Sequence, residues 1–207
     1  MKIAFQEKAF DSDKLTLPHW MNDSRRFSYV DATPEGDGMT LWMYDITSGE
    51  RKAVIPTRAL TLPKGIPLPD EGDSDDEIPG NAKSGLLRIR GYQWSPDETQ
   101  VLFAREPEPH AAVPGDTSLF IYSLATGKMQ CVTTHKLPHR NVKWSPDRKR
   151  IGYVRGEDIY VLDVSTRIEM RLTNSAAPTI FNGRFGWVYE EELDLLDGWE
   201  WSPDGKR

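Results

Sequence analysis

A chain of 207 residues with 38% hydrophobic and 28% charged side chains has the composition of an ordinary water-soluble globular protein, long enough for one sizeable core. Its formal charge of −6 is local: Asp70–Glu77 holds six acids, and removing them from the 32 leaves 26 to balance the 26 Lys and Arg, so no basic face is expected to draw a phosphate backbone and nucleic acid is not expected as a partner. No run reaches the roughly 18 apolar residues of a membrane span, Met1–Lys8 lacks the apolar stretch of an export signal, and the single Cys131 permits no intrachain disulfide; the expectation is a cytoplasmic chain with no membrane contact, no metal and no cofactor.

Residues 1–14 read as a lead-in, and repeated β units fill 15–207. The first unit opens at Trp20-Met21-Asn22-Asp23, continues in the β-prone Phe27-Ser28-Tyr29-Val30, and closes in Leu41–Gly49, a strand running into a turn. A stretch at about 63–84, rich in proline and acid, reads as a solvated insertion. Its acids lack the spaced Asp, Gly and terminal Glu of a calcium loop.

Trp94-Ser95-Pro96-Asp97 opens the second unit, and the phrase recurs at Trp144-Ser145-Pro146-Asp147 and Trp201-Ser202-Pro203-Asp204, separated by 50 and 57 residues. Ser, Pro and Asp suit the first three positions of a type I turn, because Pro fixes φ at the second and the polar side chains bond nearby backbone. Strands are expected to follow at Val101–Ala104 and Ile151–Val154, and again at Leu119–Gly127 and Ile159–Arg167, which align with Leu41–Gly49. About four strands per unit of 40 to 50 residues is the measure of a β-propeller blade. The expected fold is all-β: an incomplete β-propeller of about three four-stranded blades plus the start of a fourth, the N-terminal part of a longer polypeptide, with a Glu-rich arm at about 181–197.

That arm contains Trp187-Val188-Tyr189-Glu190-Glu191-Glu192-Leu193. Three consecutive carboxylates behind an aromatic pair repel one another and call for a cation. On the residues alone the acids also read as the solvated first turn of a short helix, Glu190–Leu196, facing its dipole. Chemistry of other kinds is missing. No Gly-x-Ser-x-Gly elbow and no glycine-rich phosphate loop occurs; His135 and His139 straddle Pro138 and read as loop histidines, not zinc ligands; Cys131 sits in an apparent strand as a packed side chain.

The three Trp-Ser-Pro-Asp phrases together with Phe181-Asn182-Gly183-Arg184-Phe185-Gly186-Trp187-Val188-Tyr189-Glu190-Glu191-Glu192 resemble the propeller of dipeptidyl-peptidase IV-like serine exopeptidases of the prolyl oligopeptidase clan, over roughly residues 15–207. The resemblance implies an eight-bladed parent propeller capping an α/β-hydrolase domain, and that catalytic domain is absent from these residues. It also implies that Glu191 and Glu192 bind the free N-terminal amine of peptide substrates so that dipeptides are released. Glu190 is expected to face outward or to pair with a base such as Arg184, while Tyr189, Glu190 and Arg105 are further candidates for substrate contact. Arg105 enters only because no Arg lies between His110 and Leu119, where such enzymes carry a carbonyl-binding arginine. A homodimer of the parent is left open, and the reading of another class is a propeller scaffold that binds a protein partner and catalyses nothing.

Overall fold

The computed structural model describes residues 15–32, 38–64, 85–87, 89, 91–105, 117–175, 177 and 179–207. The expected insertion at 63–84 falls outside them except for its first two residues, as does the lead-in at 1–14. Twelve strands form three four-stranded antiparallel sheets, each a simple meander. Blade 1 contains β1 (Thr16–Trp20), β2 (Arg26–Ala32), β3 (Met39–Asp45) and β4 (Arg51–Ile55). Blade 2 contains β5 (Tyr92–Trp94), β6 (Gln100–Arg105), β7 (Thr117–Ser123) and β8 (Lys128–His135), and blade 3 contains β9 (His139–Trp144), β10 (Arg150–Arg155), β11 (Asp158–Asp163) and β12 (Glu169–Arg171).

The repeated phrase builds the turn between the first two strands of each unit. Ser95 Oγ donates to Asp97 Oδ1 at 2.7 Å and accepts from the Gln100 amide at 3.0 Å, while the Glu98 amide closes onto Ser95 O at 2.8 Å. The same bonds recur at Ser145–Arg150 and Ser202–Arg207. The fourth residue of each turn is left-handed, with φ of 57° at Glu98 and Arg148 and 68° at Gly205, the type I turn plus bulge that lets a hairpin follow the sheet twist. Blade 1 lacks both Ser and Pro yet keeps the frame, because Asp23 Oδ1 takes the Arg25 and Arg26 amides and Ser24 adopts φ of 53°. The second repeated turn uses a different lock: Asp45 and Asp163 each accept two amides beyond themselves, and the αL position is Gly49 or Arg167.

Blades stack face to face. Blade 1 turns Val30, Leu41 and Ile55 toward blade 2, which meets them with Trp94, Val101, Phe103, Phe120 and Tyr122. Blade 2 turns Leu102, Leu119, Ile121 and Val132 toward Trp144, Ile151, Tyr153 and Leu162 of blade 3. Each blade therefore has an aromatic-rich leading face, toward the blade before it, and an aliphatic trailing face. Full burial of such side chains stabilises by about 1.5–3 kcal/mol each, so these two interfaces dominate the stability of the array. The repeated tryptophan is the anchor: Trp94 Nε1 crosses to Ser28 Oγ of blade 1 at 2.8 Å, and Trp201 Nε1 reaches Lys143 O of blade 3 at 3.3 Å. Gly152 supplies the space for that second docking, since a Cβ there would overlap Trp199 and Trp201.

The two histidines differ from the loop reading. His135 ends β8, and His139 opens β9 and is buried between blades 2 and 3. Thr117 Oγ1 lies 2.8 Å from Leu137 O and 2.9 Å from His139 Nδ1. One hydroxyl proton goes to the carbonyl, so Nδ1 carries the imidazole proton and donates it to Thr117. Nε2 is buried with no hydrogen-bond partner among the described residues.

Candidate functional site: an acidic arm on the third blade

After β12 the chain leaves blade 3, and Asn182 fixes the point of departure. Its side-chain amide donates to Glu157 O and to Asp158 Oδ1, both at 3.1 Å, and its backbone amide donates to Glu157 O at 3.0 Å. Asp158 is buried and also accepts from Thr173 Oγ1 and Arg171. Gly183 follows at φ of 78°, wedged so tightly that a Cβ would stand 2.7 Å from Val154. Only glycine meets both demands. The arm returns at Gly198, whose amide donates to Gly183 O at 3.2 Å. Asn141 of β9 ties both ends, donating to Gly183 O at 3.2 Å and to Leu196 O at 2.9 Å.

Within the arm lies one helix, α1 (Trp187–Leu193), capped by Gly186 and stopped by Asp194 in the left-handed region at φ of 52°. It begins a turn earlier than the expected Glu190–Leu196, because the Tyr189 and Glu190 amides already bond to Gly186 O, and it ends at Leu193 because the Asp194 and Leu195 amides both fold back onto Tyr189 O. None of its residues is buried. Packing therefore does not hold it. Arg184 does: its guanidinium grips Glu157 of the β10–β11 turn through two bonds of 2.5 and 2.8 Å and donates a third to Glu190 Oε1 at 3.1 Å, lying 4.5 Å over the Phe181 ring. The hydrogen bonds to Glu157 raise the pKa of Arg184 above its ordinary value and keep it charged. Phe185 stacks on Tyr189 at 5.5 Å between ring centres.

Glu190 is thus engaged by the base the sequence offered it. Glu191 and Glu192 are exposed, and neither has a hydrogen bond or ion pair among the described side chains. Tyr189 is half exposed. Arg105 ends β6 of blade 2 opposite Ser118, and its side chain lies outside what is described. Among the described residues no group of three His, Cys, Asp or Glu could hold a metal ion, and no helix is long and apolar enough to cross a membrane. The arrangement offers adjacent anions on a tethered helix, an acceptor set for a cation. Of the residues that tether it, Asn182 lies in the Phe181–Glu192 phrase that carried the resemblance, with the Asn182-Gly183 pair its local turn signal; Asn141 and Asp158 were not singled out by sequence reasoning.

Comparison with known proteins bears on the fold and the family. The chain is 33% identical over 202 residues to dipeptidyl peptidase 4 of Trichophyton tonsurans, covering 96% of this chain and 22% of that protein. It is 32% identical over 118 residues to dipeptidyl peptidase 4 of Sus scrofa, covering 55% of this chain and 15% of that protein. The chain thus spans about a fifth of the length of such relatives. Among solved structures it superimposes on Porphyromonas gingivalis dipeptidyl peptidase 4 with a TM-score of 0.65 at 16% identity, covering 99% of this chain and 26% of that one, and on TolB from Acinetobacter baumannii with a TM-score of 0.50 at 19% identity, covering 94% and 36%. Both support the propeller fold. The family model for the dipeptidyl peptidase IV N-terminal region matches residues 95–207, which take in blade 2 after its first strand, all of blade 3, the arm and the turn opening a fourth blade, and on that match the chain belongs to the dipeptidyl peptidase IV N-terminal region family.

Proposed function

We propose that this propeller segment recognises the free N-terminus of peptide substrates for a serine-type dipeptidyl peptidase, with cleavage performed by a hydrolase domain elsewhere in a longer polypeptide. The observation that carries the reading is the division of labour among three acids: Arg184 neutralises Glu190, while Glu191 and Glu192 stand exposed on the same tethered helix without a described partner. An α-ammonium has one charge and three donors, and two carboxylates satisfy it; an internal peptide amide is neutral and offers one donor. The same pair therefore rejects a chain that continues past its terminus, and the α1 wall limits how much of the peptide passes the nucleophile.

The test belongs in a polypeptide of the relatives' length. Glu191→Gln or Glu192→Gln should each lower kcat/KM for dipeptide-releasing substrates by about one to two powers of ten, the equivalent of a charge-assisted bond of about 1.5–3 kcal/mol. Acetylating the substrate amine should erase most of the difference between wild type and variant. Equal cleavage of free-amine substrates by wild type and both variants would leave a propeller that binds partners and gates nothing.

A further inference from the structure

Two seams join the three blades, and register lets them be compared position by position. Trp94 lies opposite Val101 and Trp144 opposite Ile151; one step along the second strands, Ser28, Leu102 and Gly152 are the matching residues of the three blades. In the first seam Trp94 Nε1 donates to Ser28 Oγ at 2.8 Å. That hydroxyl donates in turn to Tyr92 Oη at 2.8 Å, and the Tyr92 proton goes to Leu17 O at 2.9 Å. In the second seam the residue matching Ser28 is Leu102, in one core with Trp144 and with no acceptor to offer it. Trp144 Nε1 is buried without a hydrogen-bond partner among the described residues.

The second seam is the weaker in two further respects. His139 Nε2 is the other buried, unpartnered atom within it; the third such atom among the described residues belongs to Trp42, on the face of blade 1 turned away from the seams. A buried polar atom without a partner costs its full desolvation, and water restores the missing bond as soon as the faces part. Parting the first seam instead breaks the bond from Trp94 to Ser28. The cores differ as well. That of the first seam includes Leu60, Leu87 and Ile89 from the segment joining blades 1 and 2, whereas none of residues 136–138, which join blades 2 and 3, is buried. Polar bonds do cross the second seam, from Arg148 to Asp97, from Gln93 to Val142 O, from Arg167 to Gln130 and from His139 Nδ1 to Thr117. Arg148 is 55% exposed, where an ion pair contributes little, and the first seam answers with Asn22 bonded to Glu98 and to Pro96 O.

We infer that the seam between blades 2 and 3 is a hinge, the place at which the array opens first, and that blade 3 swings on it together with the acidic arm. The arm goes with blade 3 because, among the described residues, the hydrogen bonds and ion pairs at its root end on blade 3 or within the arm itself. The motion unfolds neither sheet, since each four-stranded ladder is complete within its own blade. Openings of this kind are ordered by the strength of the contact that must part, well below the cost of global unfolding. Opening carries Glu191 and Glu192 away from blade 2 as a unit with their tether. The hinge is independent of what the arm binds.

Slow tryptophan-selective alkylation in sub-denaturing urea, resolved by peptide mass spectrometry and run beside hydrogen exchange, tests it with internal standards. Trp187, 71% exposed, labels throughout and sets the reference rate. Trp94 and Trp144 are each 7% exposed at rest, yet Trp144 should label about tenfold faster while the amides of β9 to β12 stay protected. Ser28→Ala, which takes the acceptor from Trp94 Nε1, should raise Trp94 labelling toward that of Trp144. Labelling of both tryptophans together, at global unfolding, would overturn the inference. So would Trp144 labelling that keeps step with exchange of the β9 to β12 amides, which would mean that blade 3 melts in place, or a Trp94 rate that Ser28→Ala leaves unchanged.

Discussion

The blades and the arm are stabilised by different physics. Blade 3 is held through Ile151, Tyr153 and Leu162, all fully or almost fully buried, whereas α1 buries nothing and is placed by one guanidinium, one ring stack and the amides at its root. Apolar burial is large and spread over many atoms; a polar tether is small, directional and depends on single groups. A substitution in a blade should therefore cost stability broadly, and one in the arm should change its placement while the blades remain intact.

The largest effect expected from that contrast is at the blade 1–blade 2 interface. Phe103→Ala should destabilise the chain by about 3–5 kcal/mol, read as a lowered denaturant midpoint, because Phe103 is 1% exposed in that core. A cost near that of an exposed site would mean the blades do not bear on one another as described.

His139 gives a pH-dependent version. Burial pushes its pKa down to about 4 from its ordinary 6.5, with Arg155 adding repulsion, and protonation would place a charged N–H at Nε2 with no partner. The unfolded chain takes up that proton first, so the stability held by neutral His139 is fully present above about pH 6.5 and is lost as pH falls toward 4, up to about 3 kcal/mol. His139→Phe, which leaves Thr117 bonded to Leu137 O, should flatten the stability profile between pH 6.5 and 4; an unchanged slope would place the titration elsewhere.

In the arm, Arg184→Gln should alter global stability by no more than about 1 kcal/mol and yet speed amide exchange in residues 187–195. Arg184→Lys should not restore protection, because an ammonium cannot hold Glu157 through two parallel bonds and Glu190 with a third. Equal exchange in all three proteins would show that the ring stack suffices. The smallest effect is local: Asp163, held to about 2 chiefly by the Thr166 amide, keeps the β11–β12 turn closed at pH values above the ordinary carboxylate range, and that contribution fades as pH falls through about 2. Asp163→Asn should therefore lower the midpoint slightly at neutral pH and flatten the stability profile between about pH 4 and 2.

The parts legible in the sequence are those whose causes are local. Ser-Pro-Asp carries its own hydrogen bonds, so the turns, and the strands that begin after them, follow from a few consecutive residues. The degenerate first unit was legible for the same reason, with Asp23 taking over the amide that Ser bonds elsewhere. What escaped depends on residues far apart in the chain. His139 looks like a loop residue beside Pro138 until blade 2 covers it, and α1 starts at Trp187 because Gly186 offers its carbonyl to two amides, which no propensity at Glu190 reveals. The Glu-rich phrase was visible at once; that Asn141, some 40 residues upstream, would hold its base was not.

That single asparagine has a consequence for how the protein can change. Its amide meets the carbonyls of Gly183 and Leu196, and Gly198 closes onto Gly183, so the intervening residues leave and rejoin the sheet at one place. The residues between still touch blade 3 at two points, Asp197 pairing with Lys143 of β9 and Arg184 with Glu157 of the β10–β11 turn, and the helix between these contacts is the part free to vary. Divergence of the arm can then proceed by exchange of the helix residues on a constant frame.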